Sequence, residues 1–203
     1  MFQPHRNIIQ VLDRANETTV LEGKEWYPNA QRIAMAVGRL ARPEHTRGTQ
    51  VMIGAGILSA LSPQTNWDLN IVKAFQFIEY FQRPTFTTTS NYTKAMNVIT
   101  YLDEAMASPN PVQYIEDLMG VKAPKQRAFF RNIQNPESDY GPTIDRHAIG
   151  IYLNRKPTKD DLRIHGGGNA LKEVVNAYRK ASAETDLHYN ELQAITWLQW
   201  RSE

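Results

Sequence analysis

Apolar residues recur at helical spacing along almost the whole chain, and no segment offers the alternation that a half-buried strand needs. Ile8, Leu12 and Ala15 share one face, and Ile33, Val37 and Leu40 share another in the segment after Pro28. Ile71, Phe75 and Ile78 repeat at i, i+4 and i+7, and Val98, Tyr101/Leu102 and Ala105 repeat similarly. Further helices are predicted at about 168–183, through Leu171, Val174/Val175 and Tyr178, and at about 189–201, through Leu192, Ile195 and Gln199. Runs of Val, Ile and Thr are short and lack hairpin turn signals, so Thr85 to Ser90 reads as a polar connector. Pro84, Ser108-Pro109-Asn110-Pro111, Pro136 to Pro142 and Lys156-Pro157 cut the pattern into helices of ordinary length. The chain is predicted to be all-α, one domain over residues 1–203 with about nine or ten helices.

Length and composition narrow the chemistry. With 203 residues, 41% of them hydrophobic, the chain can bury a core without covalent staples. It has no cysteine, which excludes disulfides, thiolate zinc sites, cysteine-ligated iron–sulfur clusters and a cysteine nucleophile. No apolar run approaches the roughly 20 residues of a membrane span. The start, Met1-Phe2-Gln3-Pro4-His5-Arg6, lacks the basic and apolar stretches of a signal peptide, so a soluble cytoplasmic protein is expected.

The formal net charge is only +2, yet its distribution is uneven. Lys122, Lys125, Arg127 and Arg131 fall in one stretch without an acid, and Arg155, Lys156 and Lys159 follow. Such a stripe either neutralises phosphates or forms a solvated helix face.

Several local patterns carry less than they suggest. Gly54-Ala55-Gly56 lacks the third glycine and the βαβ context of a dinucleotide site. Small residues there instead let two helices approach closely, at about 1 kcal/mol per helix-interior glycine. His165-Gly166-Gly167-Gly168 has no G-x-S-x-G partner motif and reads as a loop opening the next helix, whose amides could meet a phosphate. The five histidines are dispersed, and Asp145 and His147 would diverge by about 200° on a helix, so neither a metal nor a cofactor is expected. Asp145 itself follows Gly141-Pro142-Thr143, with Thr143 read as the N-cap and Asp145 in the first turn of a helix over 143–154. A carboxylate there complements the positive helix end whatever else it does.

Taken in order, these segments form a series. Leu58-Ser59-Ala60-Leu61-Ser62-Pro63-Gln64-Thr65-Asn66-Trp67 continues to Asn70 and Lys73-Ala74; Lys94-Ala95 precedes Val98-Ile99. Ile115-Glu116-Asp117-Leu118-Met119-Gly120-Val121 leads into the basic stripe, then comes Pro142-Thr143-Ile144-Asp145-Arg146-His147-Ala148, and Gln193 to Arg201 closes the chain. Over about residues 51–201 the series resembles the helix-hairpin-helix (HhH-GPD) glycosylase superfamily typified by endonuclease III. The same string, with Trp26-Tyr27, also looks like small phage proteins, and some distant members of the superfamily are thought to act in phage thymine hypermodification.

The resemblance implies a two-lobed helical scaffold that binds DNA. Asp145 matches the catalytic aspartate that stabilises charge on the sugar and directs the nucleophile. Gln64 matches the residue that fills the gap left by an extruded base. Gly120 and Val121 match the start of the phosphate-holding hairpin, with Lys122, Arg127, Arg131 and Arg146 as further DNA contacts. Lys125 is the nearest candidate for the Schiff-base lysine of bifunctional members, displaced by one position. Trp67, Asn70 and His147 would border the base pocket, although packing explains each of them as well. The hairpin's second glycine is missing, and Pro124 lacks an amide donor. The implied activity is base release by an aspartate-assisted water; the alternatives are amine transfer to an activated thymine or hydroxymethyluracil, and a non-catalytic DNA-binding module. A monomer binding DNA, without membrane attachment, is expected.

Overall fold

The computed structural model describes residues 3–203, and among them there are twelve helices and no strand. Met1 and Phe2, which open the stretch read for a leader, lie outside the described residues. The all-α expectation holds, whereas the expected nine or ten helices become twelve through short elements. The helices are α1 (Pro4–Leu12), α2 (Glu17–Ala41), α3 (Arg47–Leu61), α4 (Trp67–Tyr80), α5 (Thr89–Thr100) and α6 (Leu102–Ala107). They continue as α7 (Pro111–Leu118), α8 (Pro124–Gln134), α9 (Arg146–Leu153), α10 (Lys159–His165), α11 (Gly168–Thr185) and α12 (Tyr189–Ser202).

Three departures from the sequence pattern have local causes. The run through Val98, Tyr101/Leu102 and Ala105 is two helices, because Tyr101 leaves helical geometry at φ −100° and ψ 19°. α10 buries no residue, so no apolar period marks it; a capping box between Thr158 and Asp161 holds it instead. α2 runs straight through Pro28. Proline there gives up one amide bond, and the helix continues because residues on both sides of it, Tyr27 and Ala30, are buried.

The chain divides into two units, one made of the residues up to 28 with Pro136–Glu203, the other of Asn29–Asn135. In the middle-segment unit, every residue from Thr49 to Leu61 of α3 is buried. A helix apolar on all sides must be covered on all sides, and α4, α5, α7 and α8 pack against it. A Cβ on Gly54 would stand 1.8 Å from the Ala34 carbonyl oxygen, and one on Gly38 the same distance from that of Gln50. The small residues therefore seat α2 and α3 backbone to backbone, as the Gly54-Ala55-Gly56 spacing predicts. In the end-segment unit, Ile8 and Val11 of α1 join Ile144, Ile149, Ile151, Val174, Tyr178 and Leu192 in one cluster. Gly23 gives α2 its seat there, since a Cβ would meet Ile195 at 2.3 Å. No helix of the described residues is long and apolar enough to cross a membrane.

Candidate functional site

The turn that carries Gln64 begins with an energetic problem. α3 is buried to its last residue, so its final carbonyls lie away from water, and of these the Ser59 oxygen is met locally by the Ser62 hydroxyl at 3.0 Å. Side chains of two other helices solve it. Asn70 Nδ2 donates to the Leu58 oxygen at 3.0 Å, and Gln126 Nε2 donates to the oxygens of Ser59 (3.1 Å) and Ala60 (3.0 Å). Lys94 Nζ in turn donates to Gln126 Oε1 at 2.5 Å, bringing a cation toward the negative end of α3. Burial pushes the Lys94 amine below the ordinary lysine range. From this anchored end the chain turns through exposed Gln64 at φ 61°, a left-handed conformation that costs a non-glycine residue about 1 kcal/mol or more. Asn66 then caps α4 by accepting from the Leu69 amide at 2.9 Å. Trp67, the first residue of α4, is half-buried and meets Phe129 of α8 edge-on at 6.0 Å. Asn70, expected beside a base pocket, is 1% exposed and serves α3.

A tight turn joins α7 to α8 at the position where the resemblance implies a hairpin. Gly120 N donates to the Asp117 oxygen at 2.9 Å, and Ala123 N closes the turn onto the Gly120 oxygen at 3.1 Å. Gly120 takes φ +84° there, a conformation it adopts without a Cβ penalty. Val121 stands at the tip, 83% exposed. Pro124 occupies the first position of α8, where an amide would lack an internal partner in any case. Ala123 supplies no side-chain cap, which leaves the amides of Lys125 and Gln126 without an acceptor in the helix.

The basic stripe divides in two. Lys122 and Lys125 are exposed. Arg127 and Arg131 turn inward onto Glu116, whose side chain has no exposed area. Arg127 Nε and a terminal nitrogen reach Glu116 Oε1 at 2.7 and 2.6 Å, and Arg131 Nε donates to Oε2. Arg131 also donates to Gln113 Oε1 at 2.7 Å, and Arg127 approaches Asp117 at 3.2 Å. These two arginines lock α7 to α8, and for them alone the solvated-face and phosphate alternatives give way to an internal ion cluster.

Asp145 lies in the end-segment unit. The expected cap at Thr143 is corrected: Asp145 is itself the N-cap of α9, and its Oδ1 accepts the amides of His147 and Ala148, both at 2.9 Å. Thr143 is drawn elsewhere, because the Tyr27 hydroxyl lies 2.9 Å from both Thr143 Oγ1 and Gln193 Oε1. Asp145 Oδ2 has no hydrogen-bond partner among the described residues. Near this carboxylate, the Tyr178 side chain is fully buried, with its hydroxyl beside Thr196. Burial, with the Asp145 charge adding to it, pushes Tyr178 ionisation far above the ordinary range.

An aromatic group stands beside the cap. The half-buried His147 ring meets Trp197 edge-on at 6.3 Å, and Trp26 meets Trp197 at 6.1 Å and Tyr27 at 4.8 Å. The Arg201 guanidinium covers the Trp197 face at 4.3 Å. Trp197 belongs to this partly open cluster, whereas Trp200 packs against the core. Arg146 is exposed and forms no ion pair with Glu137 or Asp139; its Nε donates to His147 Nε2 at 3.3 Å.

The sequence hides Glu116, Gln126 and Tyr27 as organising residues, since each partner lies many positions away. Lys73 left a trace, because Asn70, Lys73, Ala74 and Phe77 share the buried face of α4. It is 2% exposed, its Nζ donates to the Phe86 oxygen at 3.2 Å, and burial lowers its pKa. No group of three or more His, Cys, Asp or Glu residues among the described residues is placed to hold a metal.

No curated protein and no solved structure matches this chain. A family model does, over residues 3–203, and the chain therefore belongs to DUF7178, a family of unknown function.

Proposed function

We propose that this chain acts on DNA as a glycosylase-like enzyme, flipping a base and cleaving its N-glycosidic bond with an aspartate-assisted water. The observation that carries the reading is the state of Asp145. Two backbone amides fix one carboxylate oxygen and leave the other without a partner at the start of a helix. A carboxylate so placed can accept a proton from water or face a developing oxocarbenium charge, and both tasks need an oriented, unshared lone pair. The half-buried rings of Trp26, Trp197 and His147 add flat apolar surface beside it, of the kind on which a nucleobase stacks. In the other unit, Gln64 is exposed on a strained turn and Gly120 to Lys125 presents amides and two exposed lysines. These suit the gap left by an extruded base and a phosphate respectively. The same reading takes the protein as a cytoplasmic monomer, in host cytoplasm if phage-encoded.

Asparagine caps a helix about as well as aspartate, so Asp145→Asn removes the charge and keeps the fold. Wild type and Asp145→Asn are incubated with DNA rich in modified bases, and mass spectrometry follows both released bases and nucleosides retained in the polymer. A free base seen only with wild type is expected. Base release that survives in Asp145→Asn removes the proposed mechanism. A new mass retained in the polymer points to the transferase alternative, and silence in both channels with DNA still bound points to a non-catalytic module.

A further inference from the structure

We propose that Gln126 is a positioning residue that joins the Gln64 turn and the hairpin into one mechanical element. This inference rests on reading those two segments as DNA contacts, but the coupling itself exists without DNA. Gln126 is the third residue of α8, three positions beyond the Ala123 whose amide closes the hairpin turn. Its side chain is 5% exposed and nearly saturated. Both amide hydrogens go to carbonyls of the last turn of α3, those of Ser59 and Ala60, and its oxygen accepts Lys94 Nζ. Gln64 lies four residues past Ala60, so one amide group fixes the base of each exposed segment.

The Ser62 hydroxyl shares the Ser59 oxygen at 3.0 Å, so the Ala60 oxygen and the Gln126 amide itself are the buried groups whose unpairing is costly, and they make the joint stiff. The Glu116 cluster completes it from the other side, because Arg127 and Arg131 bind α8 to α7. A displacement at the hairpin therefore passes through α8 and Gln126 to the end of α3, where the Gln64 turn starts. Two loops that share a rigid mount meet a duplex with a fixed spacing, and ordering them costs less when DNA binds.

Gln126→Met keeps length and burial while deleting both donors. Amide hydrogen exchange is measured on the whole protein without DNA. We expect acceleration of about tenfold at residues 59–62 and at residues 123–127 together, with α11 unchanged. Acceleration confined to 123–127 overturns the coupling. Should Gln126→Met fail to fold, Lys94→Met leaves the bonds to Ser59 and Ala60 in place. It is expected to accelerate the same two segments by a smaller factor, and unchanged protection at 59–62 overturns the proposal.

Affinity for a duplex containing a tetrahydrofuran abasic analogue supplies the second readout, with Gln64→Ala, Gln126→Met and the double variant. If the joint positions Gln64, the two losses are not additive. Additive losses count against coupling. Wild-type affinity in Gln64→Ala strikes instead at the DNA reading of that turn, and the exchange result stands apart from it.

Discussion

Replacing Glu116 tests whether the inward-facing arginines are structural or merely resting on the surface. The Glu116 side chain has no exposed area, and its partners Arg127 and Arg131 are 17% and 19% exposed. Glu116→Ala deletes the acceptor of three charge-assisted bonds and strands two guanidinium groups in a largely desolvated setting. Breaking a buried pair in this way costs about 3–5 kcal/mol. Residual contacts soften the loss, among them Arg127 with Asp117 at 3.2 Å and Arg131 with Gln113 at 2.7 Å. Asp117 is 57% exposed, so water already screens that contact and it returns little. We therefore expect a loss near the lower end, about 3 kcal/mol, for alanine, and about half that for Glu116→Gln, which keeps the volume and one carbonyl acceptor. Urea unfolding followed by circular dichroism gives the loss, and native-state exchange should locate it in α7 and α8. Added salt should change it little, because a buried pair is poorly screened. A loss below about 1 kcal/mol that shrinks with salt is the signature of an exposed pair and would refute the reasoning. The arginines would then be open to phosphates after all.

Other perturbations separate strain, packing and charge. Gln64→Gly should stabilise the fold by about 1 kcal/mol in urea melts by relieving the left-handed turn, while weakening binding to gapped DNA; a destabilised variant would contradict the strain at φ 61°. Gly54→Ala places a methyl 1.8 Å from a backbone oxygen, so a loss of more than about 3 kcal/mol or failure to fold is expected, and a wild-type melting curve would deny the close crossing. Asp145→Ala should cost about 1 kcal/mol by uncapping α9, against almost none for Asp145→Asn, as thermal melts of the pair will show. Burial, helped by the Asp139 charge, raises Tyr189 to about 12. Its folded form thus holds a proton that the unfolded chain loses near pH 10, so stability is full below about pH 10 and falls between 10 and 12. Ultraviolet titration of tyrosinate alongside unfolding checks this, and ionisation near pH 10 in a folded protein would count against it.

What the sequence reveals is local, and what it conceals is mostly long-range. The periodicity of Ile8, Leu12 and Ala15 or of Leu171 and Tyr178 marks helices because neighbouring turns bury a common face. Proline positions mark their starts, and Pro111 and Pro124 both open helices. Tyr101 is hidden because apolar spacing continues across the break, and α10 because its apolar residues are too few to repeat and none is fully buried. Asp145 stood out by position, but its capping role depends on where the helix begins, a boundary that spacing fixes only to within a few residues. Arg127 and Arg131 were legible as charge and illegible as structure, since nothing in their own segment says that Glu116 is buried eleven and fifteen residues earlier.

The division of the chain has a temporal meaning. One unit is a single stretch, Asn29–Asn135, whereas the other is assembled from both sides of it. During synthesis the contacts within the middle stretch can form as soon as it leaves the ribosome, because both sides of each have then been made. Residues 3–28 are made before that stretch, yet the segment that completes their own unit is made after it. Ile8 and Val11 need α9, α11 and α12 to cover them, and Arg14 finds Glu203 at 2.8 Å only at the end. The carboxylate of Asp145 therefore becomes seated late, in the unit with the most distant sequence contacts, and after the segment that carries Gln64 and the hairpin has already formed.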